Sequence, residues 1–133
     1  MESLLPLLLL ISITSVIGLT LRAKKGVIKK GTRVKISEGE FGGKYGSRLT
    51  ILQFSTTFCS ECRTAKAIVN DVVKDFEDIA YVEVDAESNL ELVRRVDIRS
   101  TPTTIFLDSK GFEIARAKGA PKRDQLIKAI KAI

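Results

Sequence analysis

Leu49-Thr-Ile-Leu-Gln-Phe-Ser-Thr-Thr-Phe-Cys-Ser-Glu-Cys-Arg63 decides how the chain is read: an apolar strand that runs out into Cys-x-x-Cys at the start of a helix. The spacing lets one helical turn bring the sulfurs of Cys59 and Cys62 together. Helix N-termini present unpaired N–H groups and partial positive charge, which favour a thiolate on the first cysteine. Cys59 is the expected nucleophile and Cys62 the resolving thiol. These are the only cysteines in the sequence, so its thiol chemistry is concentrated here.

Two blander readings compete with a redox dithiol. Structural zinc takes four ligands, and the sequence has no histidine and no third cysteine, so only a dimer pooling four thiolates would hold the metal. No metal site and no cofactor are expected. A purely structural disulfide would close a loop of only about four residues and constrain the unfolded chain little.

The sequence around the motif has α/β patterning. Leu49, Ile51, Leu52 and Phe54 form a buried strand, and Ala65, Ile68, Val69, Val72, Val73 and Phe76 recur at helical spacing. Ile79–Asp85 is β-branched and alternating, and Ser88 with Glu91 resembles a capping box ahead of Leu90, Val93 and Val96. Thr103–Leu107, the turn Asp108–Gly111 and Phe112–Lys118 then form a hairpin, and Leu126, Ile127 and Ile130 mark a closing helix with Pro121 at its start. The expected order is β-α-β-α-β-β-α.

Upstream lie an anchor and a linker. Ser3–Leu21 is uncharged and apolar all round, long enough as a helix to cross a hydrocarbon core of roughly 30 Å. A cleavable signal peptide would have a basic n-region and a small-x-small cleavage site; Met1-Glu2 and Leu19-Thr20-Leu21-Arg22 supply neither, so a transmembrane anchor over 1–21 is expected. Residues 22–35 hold Arg22, Lys24, Lys25, Lys29, Lys30, Arg33 and Lys35 with no acid, and this run accounts for the net charge of +6. Without aromatic residues interleaved among them, these cations do not suggest nucleic acid. They suit a topology signal, or contact with anionic lipid head groups. The glycine-rich Ser37–Ser47 completes an expected linker over 22–48, in which Val34–Ile36 is a conceivable edge strand; the folded domain is expected over 49–133.

From Leu49 onward the chain resembles the thioredoxin fold family. The resemblance rests on Phe54, Cys59-Ser60-Glu61-Cys62, the strand end Val82–Asp85, Val96-Asp97-Ile98-Arg99-Ser100-Thr101-Pro102-Thr103, the Asp108–Gly111 hairpin and Lys118-Gly119-Ala120. It implies a mixed sheet flanked by helices and a cis peptide before Pro102 facing the dithiol. In that family the backbone of the residue before the proline pairs with an extended substrate segment, which makes Thr101 and Pro102 the implied docking residues, with Phe58 beside them.

Departures from the family are specific. Phe58-Cys59-Ser60-Glu61-Cys62 replaces Trp-Cys-Gly-Pro-Cys, so the apolar wall beside the dithiol is expected from Phe54 and Phe58. Gln53 stands where the family has a buried aspartate, and Tyr81 where it has the paired lysine. Gln53 cannot accept a proton, which leaves Cys62 a bulk or water-mediated path. The family's first helix, before the active-site strand, is not evident in 22–48.

The implied function is a membrane-anchored thiol–disulfide oxidoreductase, a reductant of protein disulfides recharged by a separate reductase because no second cysteine pair is present. The alternatives are a binding module that docks extended segments at Thr101-Pro102 without cycling its dithiol, and an exported thiol–disulfide enzyme. The cations after the apolar run predict a single-pass protein with its N-terminus outside and its domain in the cytoplasm; the exported enzyme requires the reverse topology.

Overall fold

The computed structural model describes residues 4–133. Its elements are α1 (Leu4–Lys24), β1 (Ile28–Lys30), α2 (Glu38–Phe41), β2 (Leu49–Ser55), α3 (Ser60–Val73), β3 (Ile79–Asp85), α4 (Leu90–Arg95), β4 (Thr103–Asp108), β5 (Glu113–Lys118) and α5 (Arg123–Ala132). From β2 onward this is the expected β-α-β-α-β-β-α order.

The strands form one mixed sheet in the order β1-β5-β4-β2-β3. β2 lies between parallel β3 and antiparallel β4, and all of its residues are buried because both faces of the sheet are covered. Strand parity divides the core. Leu49 and Ile51 face Val69 and Val72 of α3 and Leu126 and Ile130 of α5, while Leu52 and Phe54 face Ile36, Phe41, Leu92 and Val96 on the opposite side. Apolar residues at alternating and helical spacings thus converge on two layers.

Three expectations are corrected. The stretch read as a linker is largely docked on the sheet. Ile28 pairs with Ala117 in an antiparallel ladder, Ile36 is fully buried and Phe41 nearly so, and the Tyr45 hydroxyl donates to the Ile36 carbonyl at 2.7 Å. Burial of those side chains against β4 and α4 is what turns a glycine-rich sequence into fixed structure, and it moves the start of the folded unit from Leu49 back to about Gly26. Val34–Ile36 contributes a single bridge, Lys35 to Phe112, instead of a strand. Ser88 does not cap α4: the cap position is Asn89, and the Ser88 hydroxyl donates to Asp85 Oδ2 at 2.6 Å. The four-residue α2 is the only helix between α1 and β2, so the family's long first helix is indeed missing from this position.

Gly111 and Gly26 combine a positive φ with no room for a side chain. At Gly111, φ is +87° and a Cβ would lie 2.2 Å from the Tyr45 hydroxyl oxygen; at Gly26, φ is +74° and a Cβ would lie 2.1 Å from the Ala120 carbonyl oxygen. The second site is where the chain leaves α1 and joins the sheet, with Gly26 N–H donating to the Lys118 carbonyl at 2.6 Å.

α1 has a mean hydropathy of 2.4 over its most apolar window, and none of that window is buried. At about 1.5 Å rise per residue it matches a hydrocarbon core of roughly 30 Å. Three of its hydroxyls bond back within the helix: Ser12 donates to the Leu8 carbonyl, Thr14 to Leu10 and Thr20 to Ile17, at 2.8 to 3.0 Å. Such a helix has the length and composition of a membrane span or of a signal sequence. Residues 1–3 of the expected anchor lie outside the described residues.

Candidate active site

β2 ends at Ser55, and a short loop carries the chain to Cys59, which occupies the N-cap position of α3 with extended backbone angles. An N-cap side chain faces the unpaired amides of the first turn. Here the acceptor is sulfur: Cys62 N–H donates to Cys59 Sγ at 3.1 Å. The two cysteines are joined in a disulfide, with Cα atoms 5.2 Å apart. Cys59 is half-buried, whereas Cys62 is only 4% exposed, so an incoming partner reaches the first sulfur before the second.

Beneath Cys62 sits a neutral network. Gln53 is fully buried; its Nε2 donates to the Cys62 carbonyl at 2.9 Å and to Ser55 Oγ at 3.0 Å, and its Oε1 accepts from the Tyr81 hydroxyl at 2.7 Å. Burial, and secondarily the Glu83 carboxylate, push the Tyr81 phenol well above its ordinary pKa, so it remains an O–H donor. Gln53 and Tyr81 therefore satisfy each other without charge. Sequence reasoning marked both positions as departures but did not foresee that they bond to each other. Their shared face follows from the parallel register, in which Ile51 and Gln53 pair with Tyr81 and Glu83.

A cleft of about 330 Å³ opens beside the disulfide, lined by Cys62, Arg63, Lys66, Glu83 and Asp85 among others. Lys66 Nζ lies 3.5 Å from the Glu83 carboxylate, so this cation is turned toward β3. Asp85 accepts from Ser88 Oγ and from the Glu87 N–H, bonds that hold its carboxyl below the usual range. The cleft borders both Cys59 and Cys62 and sets charged side chains beside the disulfide.

The Thr101–Pro102 peptide is cis, as the resemblance implies. Thr101 is half-buried, and its Oγ1 is 3.4 Å from Thr56 Oγ1, which brings the proline loop against the loop leading to Cys59. Gly119 N–H donates to the Pro102 carbonyl at 2.8 Å. The two phenylalanines do not form the expected wall. Phe54 points to the opposite side of the sheet and is fully buried, because its strand parity is that of Leu52 and not of Gln53; Phe58 is 97% exposed next to Cys59.

The family model described as Thioredoxin matches residues 34–132. The chain belongs to the thioredoxin family. It is 34% identical over 77 residues to thioredoxin H5 of Oryza sativa subsp. japonica, covering 58% of this chain and 56% of that protein. To the thioredoxin of Ophiophagus hannah it is 27% identical over 86 residues, 65% of this chain and 80% of that one. Among solved structures, Fasciola hepatica thioredoxin superposes with a TM-score of 0.58 at 25% identity, covering 65% of this chain and 82% of that chain. Chlamydomonas reinhardtii thioredoxin f2 gives 0.59 at 25% identity, covering 71% and 85%. With its Cys59-x-x-Cys62 pair intact, the chain carries the family's thiol–disulfide oxidoreductase motif.

Proposed function

We propose that the chain is a membrane-anchored disulfide reductant, with an anchor ending near Lys24 and a thioredoxin domain beginning near Gly26. The observation that supports it most directly is the unequal exposure of two bonded sulfurs at a helix N-terminus. In the reduced protein, the Cys59 thiolate attacks one sulfur of a substrate disulfide; a Cys59–substrate disulfide forms and the other substrate sulfur leaves as a thiolate that takes a proton from solvent. Cys62 then releases its proton and attacks Cys59 Sγ, expelling the second substrate thiolate. The substrate gains two electrons and the dithiol loses two, which a separate reductase must restore. Gln53 cannot take the Cys62 proton, so the polar cleft lined by Glu83 and Asp85 is the route to solvent that best fits the fold.

Thr101 and Pro102 are the residues we assign to docking an extended substrate segment, with Phe58 as an exposed apolar contact beside Cys59. The domain is assigned to the cytoplasm, with the N-terminus outside, on the excess of cations in the last turn of α1 and just beyond it. Trapping tests the roles. Cys62→Ser is expected to accumulate mixed disulfides through Cys59, seen on non-reducing gels and released by dithiothreitol, and Cys59→Ser to accumulate none. If both variants trap the same partners equally, the roles are misassigned; if the wild-type protein fails to reduce insulin with an added chemical reductant, the reductant reading fails.

A further inference from the structure

The end of α1 and the proline loop enclose a second cleft, of about 320 Å³, whose rim includes Lys24, Lys25, Lys29, Lys118, Glu61 and Thr101. Its walls come from two sources. Lys118, Glu61 and Thr101 belong to the family-matched part of the chain, whereas Lys24, Lys25 and Lys29 precede residue 34, where that match begins. The N-terminal lysines are held there by the Gly26 N–H bond to the Lys118 carbonyl and by the β1–β5 ladder, so the basic rim is fixed relative to the dithiol. Among the described residues none of these four lysines has a carboxylate within ion-pairing distance, and Glu61 is the single acid on the rim.

We infer that this cleft is a specificity subsite for an acidic, extended protein segment flanking the target disulfide. The inference rests on the reductant reading above and names its substrate class. A segment laid along Thr101 toward Cys59 passes the rim, where four ammonium groups meet one carboxylate. Lipid phosphate is the competing occupant, but Ser100, Thr101 and Glu61 line the cleft as well as the helix end, which places the charge beside the dithiol and not only at the exit of α1. Exposed ion pairs are individually weak and screened by salt, so their effect is on selection among substrates and on encounter rate.

The test uses the full chain in phosphatidylcholine nanodiscs and two disulfide peptides that differ only in three residues beside one cysteine, aspartates in one and serines in the other. At low ionic strength the acidic peptide is expected to show a kcat/KM roughly five- to tenfold higher, with the difference vanishing by about 0.5 M salt. K29Q/K118Q is expected to reduce that preference to less than about twofold. Equal rates for the two peptides with wild-type protein would overturn the subsite and leave the reductant reading standing, whereas reduction of neither would overturn the reductant reading itself. A preference that survives K29Q/K118Q, while binding to phosphatidylserine vesicles falls, would assign the lysines to lipid and overturn the inference.

Discussion

Gln53 and Tyr81 show how a buried site can lose its charges and remain fully bonded. The Gln53 amide spends both Nε2 hydrogens on Ser55 and the Cys62 carbonyl, and its oxygen takes the tyrosine hydroxyl. Tyr81→Phe removes that donor and strands a buried oxygen, so stability to urea is expected to fall by about 1–3 kcal/mol. Gln53→Asp is expected to add an ionisation to the pH profile of the resolving step, above the ordinary aspartate value of about 3.9 because burial disfavours the carboxylate; a profile identical to wild type would place the proton route elsewhere. Thr104 offers the opposite case. Its hydroxyl is the one buried side-chain polar atom without a partner among the described residues, and Thr104→Val keeps the branched shape, so a gain of about 1 kcal/mol in unfolding free energy is expected.

At the level of elements, β5 is held by an ion pair that the sequence alone did not reveal. Glu113 is fully buried, yet it accepts from Arg116 Nε at 2.6 Å and from Thr32 Oγ1 at 2.7 Å. Burial pushes its carboxyl up, but Arg116 and Thr32 outweigh burial and hold the pKa below the usual range. A depressed carboxylate contributes stability that is complete above the unfolded value of about 4.3 and is lost as the pH falls through the lower folded value. Acid unfolding below about pH 4 should therefore be partly relieved of its pH dependence in Glu113→Gln. Arg116→Met leaves the buried carboxylate without its cation and is expected to cost about 3–5 kcal/mol at pH 7, read from thermal or urea unfolding. The elements from β2 to α5 were legible because each has its own apolar period and turn chemistry. β1 was not: Ile28-Lys29-Lys30 has one apolar residue, and its strand character depends on pairing with Ala115–Ala117, far along the chain. Docking of Ile36 and Phe41 is equally non-local. The dithiol and Thr101–Pro102 were readable from motif and resemblance, and the side of the sheet to which Phe54 belongs follows from strand parity.

For the whole molecule, the distribution of cations sets the expected topology. Seven basic residues lie between Arg22 and Lys35, in the last turn of the apolar helix and just beyond it, and moving them across an energised membrane opposes the potential by about 2.3 kcal/mol per charge per 100 mV. A membrane-impermeant maleimide applied to reduced spheroplasts is expected to label Cys59 only after lysis; labelling of intact spheroplasts would reverse the orientation and leave an exported thiol–disulfide enzyme as the better account. The join at Lys25–Gly26 bears on how such an enzyme would meet its partners. Because the helix hands over to the sheet through one bonded bend, the domain has no leash with which to sweep the surrounding volume. Carried in a bilayer, it would search a surface. Its turnover would follow the number of partners per unit area of membrane, and diluting the cytosol would change it far less than diluting the lipid.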